Sequence, residues 1–215
     1  MADLTTFKGL CEAVADYLGR EDLTERIPTF IRLAEQRINR ELRLRVMERR
    51  AVATVDAGDL GAGLPNRREP GAWDVFLEMR DVAWRMPDKQ IFPMQYMPPD
   101  HYREAANVAG IPRQYTIIGD KVFFSCVPDA PGDLLLTYYA EIPPLGEKQE
   151  TNCILQTAPD LYLYAALLES VAFTRGSVPA QQWAEFYAGA KNKLGAAEQR
   201  ARFTSNLTMR PVRRI

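Results

Sequence analysis

Apolar side chains near the start of the chain return every three or four residues. Phe7, Leu10, Cys11, Val14, Tyr17 and Leu18 fall on one helical face, and Gly19 closes the pattern. The same period resumes at Ile27. Pro28 stands in the first turn, where its missing N–H costs nothing, and Phe30, Ile31, Ala34, Ile38 and Leu42 carry the stripe onward. The other face is dense in charge, with Arg37, Arg40, Arg43 and Arg45 alternating with Glu35 and Glu41. Glu41 precedes Arg45 by four residues, a spacing that supports an exposed helix by about 0.2–0.5 kcal/mol per pair.

Beyond Arg50 the period drops to two in residues 51–55, and the glycine-rich stretch 56–63 is expected to interrupt regular structure. Residues 75–79 and 90–92 read as strands, the second demoted to an edge by Pro93. Pro98-Pro99-Asp100 suits the cap of a short helix running to about Val108. The clearest turn is Gly119-Asp120 between the apolar runs 115–118 and 121–124, a two-residue Gly-X connection of type II′. Residues 134–139 follow a Pro/Gly/Asp loop and are expected to pair with this hairpin.

After the polar segment 143–151 helical spacing returns. Between Leu161 and Phe173 only Glu169 and Ser170 are strongly polar, so this helix must be buried on most sides, and Gly176 ends it. Ser177 and Pro179 can start a last helix with the stripe Trp183, Phe186, Tyr187, Ala190, Leu194, Ala197 and Ala201. Residues 204–215 contain no acid and place Arg210, Arg213 and Arg214 around Pro211, which reads as an extended basic arm. The expected fold class is mainly α with a β insertion: a four-helix bundle with a small antiparallel β-rich domain between helices 2 and 3. The expected parts are residues 1–48 for helices 1 and 2, 49–145 for the insertion with one short helix, 146–203 for helices 3 and 4, and 204–215 for the arm.

Charge changes the picture only locally. The 27 basic and 28 acidic side chains give a formal net charge of -1, which argues against a nucleic-acid- or membrane-surface-binding protein. Asp3, Glu12 and Asp16 interrupt the first twenty residues, so no secretory signal is expected, and no apolar run approaches membrane-spanning length. Cys11, Cys126 and Cys153 are odd in number and widely spaced, so they are read as reduced thiols rather than a disulfide or zinc framework.

Residue types give catalysis no foothold. His101 is the sole histidine and lacks a partner motif. Gly58, Gly61 and Gly63 have the wrong spacing for a phosphate loop and run into Leu64-Pro65 instead of a helix. No acidic cluster has the spacing of a calcium or magnesium loop, and no metal, cofactor or catalytic residue is assigned. The arm alternates Leu207, Met209, Val212 and Ile215 with its arginines, a composition suited to adding an extended segment to a partner surface.

Three motifs in order carry a resemblance. The first is Ile27-Pro28-Thr29-Phe30-Ile31-Arg32-Leu33-Ala34-Glu35-Gln36-Arg37-Ile38. The second runs from Gly110-Ile111-Pro112-Arg113-Gln114-Tyr115 through Gly119-Asp120 to Val127-Pro128-Asp129-Ala130 and Leu136-Thr137-Tyr138-Tyr139. The third is residues 158–169 followed by a helix with Trp183 and Tyr187. Together they resemble the head-to-tail connector (adaptor) proteins of tailed bacteriophages, although Cys126-Val127 precede Pro128 where relatives often carry another proline. The resemblance implies a non-enzymatic virion protein of the neck, assembled in the host cytoplasm. Its partners would be the portal protein, a downstream stopper, nozzle or tail protein, and further copies of itself in a ring, twelvefold on the portal. Double-stranded DNA would pass through the channel without specific binding, and no membrane partner is implied. Met209, Arg210, Pro211, Val212, Arg213, Arg214 and Ile215 then become candidates for portal binding, and Arg37, Arg40, Glu41, Arg43 and Arg45 for the ring interface. The competing readings are a stopper or tail-completion protein, which is often smaller and β-dominated, a small phage enzyme, which needs a catalytic cluster, and a terminase-like DNA-binding subunit, which needs a helix-turn-helix.

Overall fold

A computed structural model of the protein describes residues 3–102, 108–174 and 180–202. The chain divides into two compact units, Met1–Val46 with Pro144–Ile215, and Met47–Pro143.

The first unit is helical. Helix α1 (Phe7–Leu18) begins at Thr6, whose hydroxyl accepts the Gly9 N–H at 3.1 Å, and ends at Gly19, whose left-handed φ of 58° lets its N–H return to the Ala15 carbonyl. A 3-10 segment, Glu21–Arg26, leads into α2 (Ile27–Glu41). That helix buries Ile27, Phe30, Ile31, Ala34 and Ile38, each large apolar side chain contributing about 1.5–3 kcal/mol. It stops at Leu42, which turns to extended backbone and buries its side chain. Arg45 therefore leaves the helix face on which Glu41 lies, and the expected Glu41–Arg45 pair does not form; Glu41 meets Arg37 instead. Glu35, expected on the charged outer face, is 5% exposed.

The re-entering chain forms α3 (Cys153–Thr157), α4 (Pro159–Ser170) and α5 (Ala180–Arg202). Asn152 separates α3 by capping it, its Oδ1 accepting the Ile154 and Leu155 N–H groups, while its Nδ2 donates to the Tyr162 hydroxyl at 2.7 Å. Helix α4 is the centre of the unit, packed by α1, α2 and α5, which explains why it is apolar nearly all round. It passes into a 3-10 turn at Val171–Phe173. The stripe on α5 is used unevenly. Trp183, Tyr187 and Ala190 are buried, Leu194 is half-buried, and Ala197 and Ala201 are exposed. The helix stop at Gly176 and the start at Ser177 and Pro179 lie outside the described residues, as does the arm 204–215.

The second unit holds β1 (Glu48–Val55), β2 (Gly61–Gly63), β3 (Asn66–Glu69), β4 (Ala72–Arg85), β5 (Ile91–Pro93), β6 (Gln95–Tyr96), β7 (Ala109–Gly110), β8 (Gln114–Ile118), β9 (Lys121–Phe124), β10 (Val127–Pro128) and β11 (Gly132–Ala140). A five-stranded sheet has the order β1-β11-β4-β3, with β5 also on β4; a four-stranded sheet has the order β2-β9-β8-β6; β7 and β10 pair alone. In the larger sheet β1 and β11 run in unbroken antiparallel register from Glu48 opposite Tyr139 to Val55 opposite Gly132. Arg80 is the extra residue where β4 slips against β11, since Asp81 faces Thr137 and Met79 faces Tyr138; it pairs with Glu48. The core between inward residues of both sheets includes Val82, Trp84, Leu134, Leu136 and Tyr138 with Tyr115, Val122 and Phe124. Trp84 meets Phe124 edge-on at 5.7 Å. Gly132 lies under the Trp84 indole, where an added Cβ would sit 2.7 Å from Cε2.

The hairpin at Gly119-Asp120 forms as read, with Ile118 opposite Lys121, Gly119 at φ 63° and Asp120 outside the left-handed region. Three expectations are corrected. Strand β11 pairs with β1 and β4 rather than with the hairpin, because alternation fixes which face is buried but not which strand lies alongside. The glycine stretch is not wholly irregular, since Gly61–Gly63 pairs with β9. The fold is not a mainly α four-helix bundle: the described residues hold five α-helices, and of these residues 41% are helical, 3-10 segments included, and 31% are strand in several sheets, in which the pairs β6–β8 and β7–β10 are parallel. The physical reasons are the break at Ala158, whose backbone leaves the helical region before Pro159 and divides the third helix into α3 and α4, and strands longer than their apolar runs. Strand β4 runs on past Met79, through the slip at Arg80 and the exposed Asp81, to Arg85. Of the short helix expected from Pro98, the described part is a turn in which the His101 N–H reaches the Pro98 carbonyl. Residues 103–107 lie outside the described residues.

Candidate docking surfaces

The five charged residues proposed from the sequence separate into two groups. Arg37 is committed within the helical unit: its guanidinium donates to Glu169 at 2.6 Å, lies 3.7 Å from Glu41 and sits over the Tyr187 ring. Glu41 in turn accepts Lys191 at 2.8 Å and the Tyr187 hydroxyl at 3.2 Å. Partial burial pushes the Glu41 carboxyl up, but these partners outweigh it and hold the group below its ordinary range. The network joins α2, α4 and α5 and is a structural clasp. Arg43 is also turned inward, donating to the Asn39 and Leu42 carbonyls past the end of α2. Arg40 and Arg45 are exposed, and neither side chain makes an ion pair among the described residues. The Arg45 backbone N–H donates to Glu198 at 3.2 Å, which fixes Arg45 beside the distal half of α5.

A second surface escaped the pattern reading. Tyr17 of α1, Tyr164 of α4, and Trp183 and Phe186 of α5 form one aromatic cluster. Trp183 meets Tyr17 edge-on at 5.8 Å and stacks on Tyr164 at 6.4 Å, and Phe186 lies 5.2 Å from Tyr164. Trp183 is 8% exposed, while Tyr17 is 54% and Phe186 41% exposed. The sequence signal was present in Trp183 and Phe186, three residues apart on one stripe, but a stripe does not say how many partners cover it.

A buried polar group also went unread. The Glu35 carboxylate accepts the Leu145 N–H at 2.7 Å, tying α2 to the chain that follows Pro144. Burial pushes its pKa up to about 7, against the opposing pull of that N–H and of Arg32.

His101 is 72% exposed at its side chain, 3.8 Å from Asp100. The described residues contain no group of three or more His, Cys, Asp and Glu able to hold a metal ion, and none of their helices is long and apolar enough to cross a membrane. Gly58, at φ 97°, lies in the loop before β2, and Gly61 and Gly63 lie in that strand. The portal-binding candidates Met209 to Ile215 lie outside the described residues.

The family model described as SU10 adaptor protein matches residues 5–214. The chain belongs to this family. SU10 adaptor proteins are phage adaptors, so this chain is a structural phage protein. The match spans both units, so the helical and β-rich parts are together the family's chain rather than an adaptor joined to something else. No curated protein matches the sequence.

Proposed function

We propose that this SU10 adaptor protein works as a ring subunit at the junction of capsid and tail, docked under the portal. The ring, twelvefold to match its template, extends the DNA channel and presents a surface to the downstream stopper, nozzle or tail protein. The observation that carries this reading is the family match over residues 5–214. Two features support it. The formal net charge of -1 lets DNA slide past without extensive phosphate neutralisation. The acid-free arm pairs Arg210, Arg213 and Arg214 with the apolar anchors Met209, Val212 and Ile215, matching a portal surface that offers carboxylates and apolar hollows.

Each arm binds weakly alone and the assembled ring binds firmly through summed contacts. The test mixes the purified chain with the portal of its own phage and reads decoration by negative-stain imaging and native mass. Rings on the portal are expected from the full chain. A chain lacking residues 204–215 is expected to keep its melting temperature and lose portal occupancy. Failure of the full chain to decorate any portal overturns the reading; wild-type occupancy by the truncated chain moves docking onto the folded units.

A further inference from the structure

We propose that the outer edge of β1 receives an extended segment of a different protein, which joins the five-stranded sheet as a further strand. That segment carries a carboxylate opposite Arg50 and apolar side chains opposite Ala51, Val52 and Ala53. The inference rests on the adaptor reading for the source of the partner, another protein of the neck, and deepens it by naming the surface that meets it.

The edges of the two sheets are built differently. A bare strand edge is a row of N–H and C=O groups ready to pair with another chain, and proteins blunt it by shortness, charge, proline or a bulge. Strand β3 is four residues long, all exposed, and reads Asn66-Arg67-Arg68-Glu69. Strand β5 has three residues and ends on Pro93, while β2 and β6, the edges of the smaller sheet, have three and two. Strand β1 is also an edge, yet it runs for eight residues, longer than the usual length of about 5–6, with no proline and no slip in its register. Among the described residues β1 pairs with β11 and with no other strand, and residues 50–55 make no backbone hydrogen bond to any other segment. Charge guards only its start: from Ala51 to Val55 no side chain is ionisable.

The side chains along this edge suit a neighbouring strand on both faces. On the face turned from the core, Val52 is 58% exposed and heads a row that crosses the sheet through Leu135 and Ala83 to Pro93. On the core face, Ala51 and Ala53 pack on the core and stay only half-buried, so its margin is open along this edge. A strand laid against β1 therefore finds apolar partners on both sides, the environment of an interior strand. Thr54 is already bonded to Asp133, and Glu48 is held by Arg80. Arg50 is exposed and makes no ion pair among the described residues.

The charge of Arg50 selects the occupant. Cross-strand pairs of opposite charge stabilise a sheet, and like charges set opposite each other destabilise it. Residues 204–215 of this chain hold three arginines and no acid, so the arm of another copy is the wrong match. A second β1 is no better, because Glu48 is its only acid and is engaged by Arg80. An acid-bearing segment of another protein meets the requirement, with main-chain hydrogen bonds giving affinity and the alternating side chains giving specificity.

The test uses tail-bearing particles of the chain's own phage. Amides of residues 50–55 are expected to exchange hydrogen at least about tenfold more slowly in the particle than in the free chain. A maleimide–diazirine cross-linker on Val52→Cys, compared with the same treatment of the wild type, is expected to reach an acid-bearing segment of a different protein. Adding Arg50→Glu should weaken the protection at least about tenfold. Neighbouring strand residues turn their N–H groups to opposite sides, so of Ala51→Pro and Val52→Pro one breaks the pairing with β11 and the other blocks the outer edge. The variant that keeps the melting temperature is the edge variant, and it should lose the protection and release the partner; if it retains both, the partner lies on the sheet face and the inference fails. Unchanged exchange in the particle, or cross-links to residues 204–215 or to another copy's β1, also overturn it. Absence of the chain from the particle strikes the adaptor reading and this inference together, whereas its presence with an unprotected β1 strikes this inference alone.

Discussion

Replacing Glu35 by Gln should change how the stability of the helical unit depends on pH. The carboxyl is buried, accepts the Leu145 N–H, and has its pKa raised from 4.5 to about 7. That displacement corresponds to about 3 kcal/mol at 1.36 kcal/mol per pH unit. The native state binds this proton more tightly than the unfolded chain. Its contribution is therefore fully present below pH 4.5, declines as pH rises, and is gone above about pH 7. Gln is neutral throughout, and its amide oxygen can still accept from Leu145. Its new N–H donors cost about 1–3 kcal/mol if they stay unpaired, an offset that does not vary with pH. The diagnostic quantity is thus the difference in slope. Urea unfolding at pH 5 and pH 8 should show the variant gaining up to about 3 kcal/mol on the wild type across that interval. Parallel pH profiles for the two proteins would refute the assignment of a buried, proton-binding Glu35.

Three further outcomes are expected. Gly132→Val should destabilise the β-rich unit by about 1–3 kcal/mol in chemical denaturation, because the side chain has to displace the Trp84 indole. A double-mutant cycle of Arg37→Ala and Glu169→Ala should give a coupling of about 0.5–3 kcal/mol, since the pair is partly shielded and shared with Tyr187 and Glu41. His101→Ala should leave thermal stability within about 0.5 kcal/mol of wild type and leave portal decoration intact, given its exposure and lack of a catalytic partner.

What the sequence revealed follows from what each pattern encodes. Gly119-Asp120 was legible because a left-handed glycine between two apolar runs has one common use, and α1 because Gly19 marks its end. The end of α2 was not, since Leu42 continues the apolar spacing while its backbone turns extended; Arg45 was placed on the wrong face as a result. Glu35 was missed because a binary pattern assigns every charge to water, whereas here a backbone N–H from a segment 110 residues away makes burial tolerable. For the docking surfaces, charge density pointed to α2, but the pattern could not separate Arg37, consumed by Glu169, from the exposed Arg40 and Arg45, which make no ion pair among the described residues. The aromatic cluster needs Tyr17 and Trp183 brought together across 166 residues, which no local period contains.

The pairing of β1 with β11 has a consequence for how this chain could have arisen. The segment Met47–Pro143 begins and ends on neighbouring strands, with Glu48 opposite Tyr139 about 5 Å away by ordinary strand geometry. A module whose two ends are side by side can enter a host sequence at a single peptide bond without stretching it. The sheets could thus have been acquired, exchanged or enlarged at the turns between β2 and β10 while the helices kept their own packing, and relatives should differ most in length within those turns.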